Sequence, residues 1–371
     1  MKQYPGYTLV KREDCPEQHG TLTVLTHDVS GAAVLLVEND DDNKAFGIGF
    51  GTFPSDDTGV FHILEHSVLA GSEKYPVKSP FLQLLKSSMA SFLNAMTFPD
   101  KTVYPFATPN ETDFRNLMDV YLNAVFCPLA MVDKGVFEQE GWHRDEDGTV
   151  SGVVYNEMQG ALATPDAQLQ NALSRAMFPD TAYGFVSGGD PASIPALTYE
   201  KYVRVYRRHY SADNCCITLY GKMDMAEKLA FLDEQYLSRM LKSASRPRLT
   251  VQDEQVGAKR NIPYYTEKPG AGRGSVCAGV VHRCVQRPGA PAGRGDPAGR
   301  PAGDEPGASE SRPAGRKTGR GHRRWASMTA RCSRPWSLCC GARRKSRRAS
   351  LLLPCARPWT ASSRRASPRS C

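Results

Sequence analysis

Between residues 21 and 50, apolar and β-branched residues recur in three short runs, 21–25, 32–38 and 45–50, separated by polar turns. Alternation of this kind predicts three strands, joined as a meander through the acidic turn at residues 39–43. From residue 58 the period changes. Val60, Phe61, Leu64, Val68 and Leu69 fall on one side of a predicted helix that ends near Gly71, with Ser55, Asp56 and Asp57 as candidate capping side chains. Ser79-Pro80 opens a second helix carrying Phe81, Leu84, Leu85 and Met89 at helical spacing. Residues 102–108 read as a strand, and Pro105 within it argues for a sheet edge. Further helices are predicted over 110–128 (opened by Thr112), 137–142, 152–162 continuing as 167–177, and 198–209 behind Thr198. A loop is expected at 187–191 and a buried strand at 215–220. One helix is expected over 225–240, with Leu229, Leu232, Tyr236 and Met240 on a single stripe. Helices and strands mix without a strict βαβ alternation, which predicts an α+β fold with a mixed or antiparallel sheet packed against helices.

Composition changes this picture only towards the end. The chain has 371 residues and a formal net charge of +8. Residues 271–371 hold 22 Lys and Arg against 4 Asp and Glu, leaving 25 basic and 35 acidic residues in 1–270. An acidic body, residues 1–281, is therefore expected to precede a basic Arg/Pro/Gly/Ala-rich segment, 282–371, that builds no core. Residues 275–281 still read as a strand. No Phe, Tyr, Ile or Asn occurs after position 271. Those four residues share AT-rich codons, so their joint loss points to a GC-rich gene read out of frame; a disordered tail is the other explanation. The tail lacks interleaved aromatic platforms or a recognisable nucleic-acid-binding module, so nucleic-acid binding through it is only a remote alternative. No apolar run is long enough to span a membrane. No signal-peptide pattern opens the chain, and none of the eleven cysteines forms a C-x-x-C pair; a cytoplasmic protein with reduced thiols is expected.

The sharpest chemistry lies in Phe61-His62-Ile63-Leu64-Glu65-His66-Ser67. On a helix, positions i, i+3 and i+4 share a face, so His62, Glu65 and His66 project together. Two imidazoles one turn apart can grip a divalent metal, and a neighbouring carboxylate can accept a proton from water activated there. The order H-x-x-E-H is the inverted zinc-protease signature. A catalytic zinc site needs a third protein ligand. Glu138, Glu140 and Glu157 are the candidates, and spacing alone leaves all three open.

The block Asp57-Thr58-Gly59-Val60-Phe61-His62-Ile63-Leu64-Glu65-His66-Ser67-Val68-Leu69-Ala70-Gly71-Ser72 resembles the zinc motif of the pitrilysin/insulinase metallopeptidases, in their presequence-protease branch. So do Tyr75-Pro76-Val77-Lys78-Ser79-Pro80-Phe81, Phe92-Leu93-Asn94-Ala95-Met96-Thr97, Thr102-Val103-Tyr104-Pro105-Phe106, Gln139-Glu140-Gly141-Trp142 and Gly152-Val153-Val154-Tyr155-Asn156-Glu157-Met158. The resemblance implies the metalloenzyme domain of the pitrilysin/mitochondrial processing peptidase superfamily, with one Zn2+ per chain held by His62, His66 and Glu157. It implies Glu65 as general base, Glu140 as a supporting carboxylate, and Asn94 and Ala95 on an edge strand that pairs with an extended substrate. The implied substrates are unstructured peptides, enclosed between two similar halves of a long chain. The likeness covers the first repeated domain and stops near Val281, so the implied partner is a C-terminal half or a separate partner half.

Overall fold

The computed structural model describes residues 4–78, 80–243 and 245–252, together with the backbone of three short strands further on. The chain divides into two compact units, Met1–Thr266 and Glu267–Cys371. In the second, Gly274–Val276 pairs antiparallel with Ala342–Lys345, which pairs with Ser350–Leu351. The expected change of character at residue 282 and the Ser79 cap lie outside the described residues.

In the first unit the elements run β1 (Tyr7–Cys15), β2 (Gly20–His27), β3 (Ala33–Glu38), β4 (Lys44–Gly51), α1 (Val60–Val68), α2 (Pro80–Ser87), β5 (Phe92–Leu93), β6 (Met96–Thr97) and β7 (Lys101–Thr108). They continue as α3 (Glu111–Phe126), α4 (Lys134–Glu140), β8 (His143–Arg144), β9 (Val150–Ser151), α5 (Val153–Ala161), α6 (Pro165–Met177), α7 (Tyr199–His209), β10 (Cys215–Gly221) and α8 (Met225–Gln235). The main sheet has the order β1-β2-β3-β10-β4-β7-β5, with β6 also on β7. Its pairings are antiparallel except that of β10 with β3. The fold is the expected α+β arrangement around a mixed sheet.

Strand alternation sends one set of side chains into a single core. Val34 and Leu36, Phe46 and Ile48, Tyr104 and Phe106, and Ile217 and Leu219 are all buried there. The register aligns Ile217 with Ile48 and Ile48 with Tyr104. Helix α3 packs on β4 and β7, while α1 packs against α4, α5, α7 and β6. Most of α1 is therefore buried on every side, including its polar residues His62 and Glu65.

Four details depart from the sequence reading. The three early strands do not form a meander, because β10 inserts between β3 and β4. A strand that begins only at Cys215 leaves no local signal for that insertion. Pro105 does not mark the sheet edge: β7 has β4 on one side and β5 and β6 on the other. The outer strand is instead broken between Leu93 and Met96, opposite the proline that cannot donate to it. Asn110, not Thr112, caps α3, accepting from the Asp113 N–H at 2.9 Å. The last helix stops at Gln235 rather than 240.

That stop has a cause in packing. Tyr236 leaves helical geometry (φ −132°, ψ −62°), and its hydroxyl donates to Asp119 Oδ1 at 2.6 Å. Asp119 also receives the Tyr75 hydroxyl at 2.6 Å and the Lys74 ammonium. Burial alone would raise the Asp119 pKa, but the Lys74, Tyr236 and Tyr75 donors outweigh it and hold the carboxyl below its ordinary value. A carboxyl depressed in the folded state stabilises fully above its unfolded pKa, about 3.9, and loses that contribution as pH falls through the folded value. Asp119→Asn is thus expected to cost about 1–2 kcal/mol at pH 7 and to flatten the loss of stability below pH 4. Urea unfolding at pH 7 and pH 3 checks both.

Candidate metal centre

Helix α1 begins in an unusual way. The expected side-chain caps at 55–57 do not serve it: its N-cap is Gly59 in the left-handed region (φ 65°), with no side-chain cap bond. Asp56 instead accepts from the Thr58 N–H and hydroxyl. Glycine is needed at 59 because a Cβ there would lie 2.6 Å from the Gly188 carbonyl oxygen. The 186–190 turn therefore sits directly on the start of α1.

This closeness sets His62. Its Nδ1 lies 3.0 Å from the Gly188 carbonyl oxygen, which can only accept. Nδ1 therefore carries the proton, and Nε2 presents its lone pair. His66 lies one turn on, its ring 4.9 Å from that of His62 and nearly perpendicular to it. Glu140, at the end of α4, approaches His66 Nδ1 at 3.6 Å. Glu157, on α5, stands 3.7 Å from His62 Nε2 and 3.6 Å from His66 Nε2.

The helices bearing the two carboxylates meet at glycines. Gly141 ends α4 against Ile63 of α1, where a Cβ would come within 3.0 Å of the isoleucine. Gly152 precedes α5 with φ 149°, and a Cβ there would lie 2.3 Å from the Gly141 carbonyl oxygen. Two close glycine contacts thus bring Glu140 and Glu157 to the same side of α1. Trp142 fixes the far side of this seam by donating Nε1–H to the Leu197 carbonyl at 2.9 Å.

One ligand atom each from His62, His66 and Glu157 lies within 4.8 Å of the other two, a grouping found among the described residues. Tetrahedral zinc with bonds of about 2.0–2.2 Å separates its ligand atoms by about 3.3–3.6 Å. His62 Nε2 lies 3.7 Å from Glu157 Oε1 and His66 Nε2 lies 3.6 Å from Oε2, each near that spacing and too long for a good hydrogen bond. Two imidazoles and one carboxylate are also a donor set that suits zinc. The residues fit such a metal.

Electrostatics favour a cation as well. Burial pulls the His66 pKa down, but Glu140 together with the charges of Glu65 and Glu157 prevails and raises it. Burial would raise Glu140, yet His66, Gln139 and Lys78 hold it below its ordinary value. Three carboxylates thus converge on two histidines.

Glu65, 8% exposed, points to the outer strand, where its Oε2 accepts the Thr97 hydroxyl at 2.6 Å. Asn94 and Ala95 lie in the break between β5 and β6. The Asn94 N–H donates to the Pro105 carbonyl at 3.1 Å, and Asn94 is exposed. Glu138, the third carboxylate left open by spacing, pairs with Lys134 at 2.8 Å on the surface, away from the trio. Sequence reasoning gave no role to the Gly188 carbonyl or the Thr97 hydroxyl. A backbone acceptor leaves no residue signature, although the Gly188-Gly189 pair marks close backbone approach.

A second constellation looks catalytic and is enclosed. Ser30 Oγ lies 2.8 Å from His27 Nδ1, and His27 Nε2 lies 3.0 Å from Asp233. Both His27 and Ser30 are fully buried, and the Ser30 N–H also donates to Nδ1. The trio braces the β2–β3 turn against α8 and gives no substrate a way in.

Among the described residues no helix is long and apolar enough to cross a membrane. Residues 47–184 match the Insulinase (Peptidase family M16) family. Protein HypA of Clostridium perfringens is 47% identical over 239 residues, 63% of this chain and 25% of that protein. Presequence protease 1, chloroplastic/mitochondrial, of Arabidopsis thaliana is 46% identical over 234 residues, covering 62% of this chain and 22% of that one. The mitochondrial presequence protease of Mus musculus is 40% identical over 243 residues, covering 63% and 23%. The chain spans about a quarter of the length of these relatives. The crystal structure of pitrilysin shares the fold at a TM-score of 0.53 and 19% identity, over 66% of this chain and 26% of that one. The inverted histidine motif on the buried helix α1 lies within the stretch, residues 47–184, that matches the insulinase peptidase family, M16.

Proposed function

We propose that the chain is the catalytic part of a zinc metalloendopeptidase that hydrolyses peptide bonds in unstructured oligopeptides. The observation that carries this reading is the convergence of His62, His66 and Glu157 within 4.8 Å, with the Glu65 carboxylate on the same helix. Zinc held by those three residues would supply a Lewis acid that polarises a peptide carbonyl and lowers the pKa of water. The Gly188 carbonyl keeps His62 in the tautomer that can ligate, and the Glu140 carboxylate, 3.6 Å from His66 Nδ1, faces the corresponding nitrogen of His66. Thr97 engages Glu65 Oε2, so Oε1 is the oxygen that takes the proton from the attacking water. Glu65 then returns that proton to the leaving amine. The backbone of Asn94 and Ala95, in the gap between the outermost strands β5 and β6, would hold an extended peptide by strand addition.

The test is metal content and cleavage measured together. Elemental analysis is expected to find one zinc per chain, lost in His66→Ala, and cleavage of casein or a short unstructured peptide is expected to stop with a chelator. Zinc at one equivalent without turnover would favour a second reading, a non-catalytic half that works only opposite a partner half. The chain's coverage of a quarter of its relatives' length supports keeping that reading. Residues 1–281 are proposed as the peptidase domain and 282–371 as a non-globular tail. A cytoplasmic location is part of the same proposal, although the eukaryotic relatives are named for mitochondria and chloroplasts. Fractionation that recovers the chain in an organelle would overturn it.

A further inference from the structure

The turn that orients His62 is held at both ends by one residue. The Val186 N–H donates to Asp57 Oδ1 at 2.8 Å, and the Asp190 N–H donates to the Asp57 carbonyl at 2.8 Å. Between these anchors the Gly189 N–H closes onto the Val186 carbonyl at 2.9 Å. The Gly188 carbonyl left at the tip accepts from His62 Nδ1. Asp57 touches neither His62 nor the other donor atoms. Its side chain is largely buried, and its second oxygen is engaged by Arg175 at 2.9 Å. Gly59 and Gly189 pack so closely that a Cβ on Gly189 would lie 3.0 Å from the Gly59 Cα. The turn therefore has little room to settle elsewhere once Asp57 has hold of it.

We infer that Asp57 is a positioning residue for the metal centre: by clamping the 186–190 turn it keeps the Gly188 carbonyl on His62 Nδ1 and so keeps Nε2 free to ligate. This rests on the zinc reading above. An imidazole without such a partner is free to protonate at Nε2, the nitrogen that must hold the metal. Loss of an outer hydrogen bond of this kind typically costs 10–100-fold in metal affinity. Arg175 adds a surface ion pair to the other oxygen, which contributes little.

Two measurements on the full chain test this. Long-range 15N–1H NMR of the metal-free protein reads the His62 tautomer, and competition with a chromophoric chelator reads zinc affinity. The unaltered protein is expected to carry its His62 proton on Nδ1. Asp57→Ala is expected to move protonation towards Nε2 and to weaken zinc binding by about 10–100-fold. Asp57→Asn keeps an oxygen for the Val186 N–H and, like Arg175→Ala, is expected to bind zinc nearly as the parent does. A purely structural role would not distinguish asparagine from alanine through the tautomer signal. The inference is overturned if the unaltered protein shows Nε2–H, if Asp57→Ala keeps parental affinity while His62→Ala loses it, or if Asp57→Asn falls as far as Asp57→Ala. Parental zinc affinity in His62→Ala would overturn the metal reading itself, and this step with it. The NMR arm stands without any variant, so a misfolded Asp57→Ala does not blunt the test.

Discussion

Glu65→Gln is expected to bind zinc as tightly as the parent chain and to cleave peptide about 10²–10⁴-fold more slowly, the usual contribution of a positioned general base. The glutamine is nearly isosteric. It keeps an oxygen to accept the Thr97 hydroxyl, which now lies 2.6 Å from Oε2, so the side chain should hold its place between α1 and β6. What it loses is the ability to take a proton. The position matters because Glu65 is buried, beside His66 in sequence and not part of the converging trio. Glu157→Gln tests the other role: a neutral amide is a poor zinc ligand, so that variant should lose metal first and activity as a consequence. Peptide turnover and bound zinc, measured on both variants, separate the two carboxylates. Loss of zinc in Glu65→Gln would falsify the division of labour proposed here.

That division was partly legible in the chain before any coordinates. His62, Glu65 and His66 are spaced for one helical face, and α1 spans 60–68, because local spacing sets which residues of a helix share a side. Which carboxylate joins them was not legible from spacing. Glu138, Glu140 and Glu157 are all on helices, and only the seam at Gly141 and Gly152 decides that Glu140 and Glu157 face α1 while Glu138 faces solvent. The elements themselves followed their periodicity, as in α7 behind its Thr198 cap. Failures fell where a distant partner overrides local signals. Strand β10 intrudes into the early strands, Tyr236 leaves its helix for Asp119, and α1 starts from Gly59, packed against the Gly188 turn, without a side-chain cap.

The α4–α5 seam leads to the second large effect, Gly152→Ala. A methyl group at this position would sit 2.3 Å from the Gly141 carbonyl oxygen and 2.8 Å from the Trp142 Cα. Both neighbours are backbone, and neither can rotate away as a side-chain tip would. The conformation compounds the clash, since φ is 149° and ψ 153°, a region that essentially only glycine enters. Backbone strain of about 1–3 kcal/mol and overpacking of about 1–3 kcal/mol together predict a loss of about 2–6 kcal/mol, a large fraction of the stability of an ordinary domain. The response has a direction as well as a size. Relief requires α5 to move away from the end of α4, and Glu157 sits one turn into α5 while Glu140 is the last residue of α4. The variant is thus expected to lose zinc affinity even in the fraction that stays folded. Gly160→Ala, in the same helix with nothing within 4 Å of the added carbon, should instead be neutral or slightly stabilising, because alanine is the better helix former. Thermal unfolding and zinc titration of the pair check this, and equal behaviour of the two variants would show that the seam does not hold the third ligand in place.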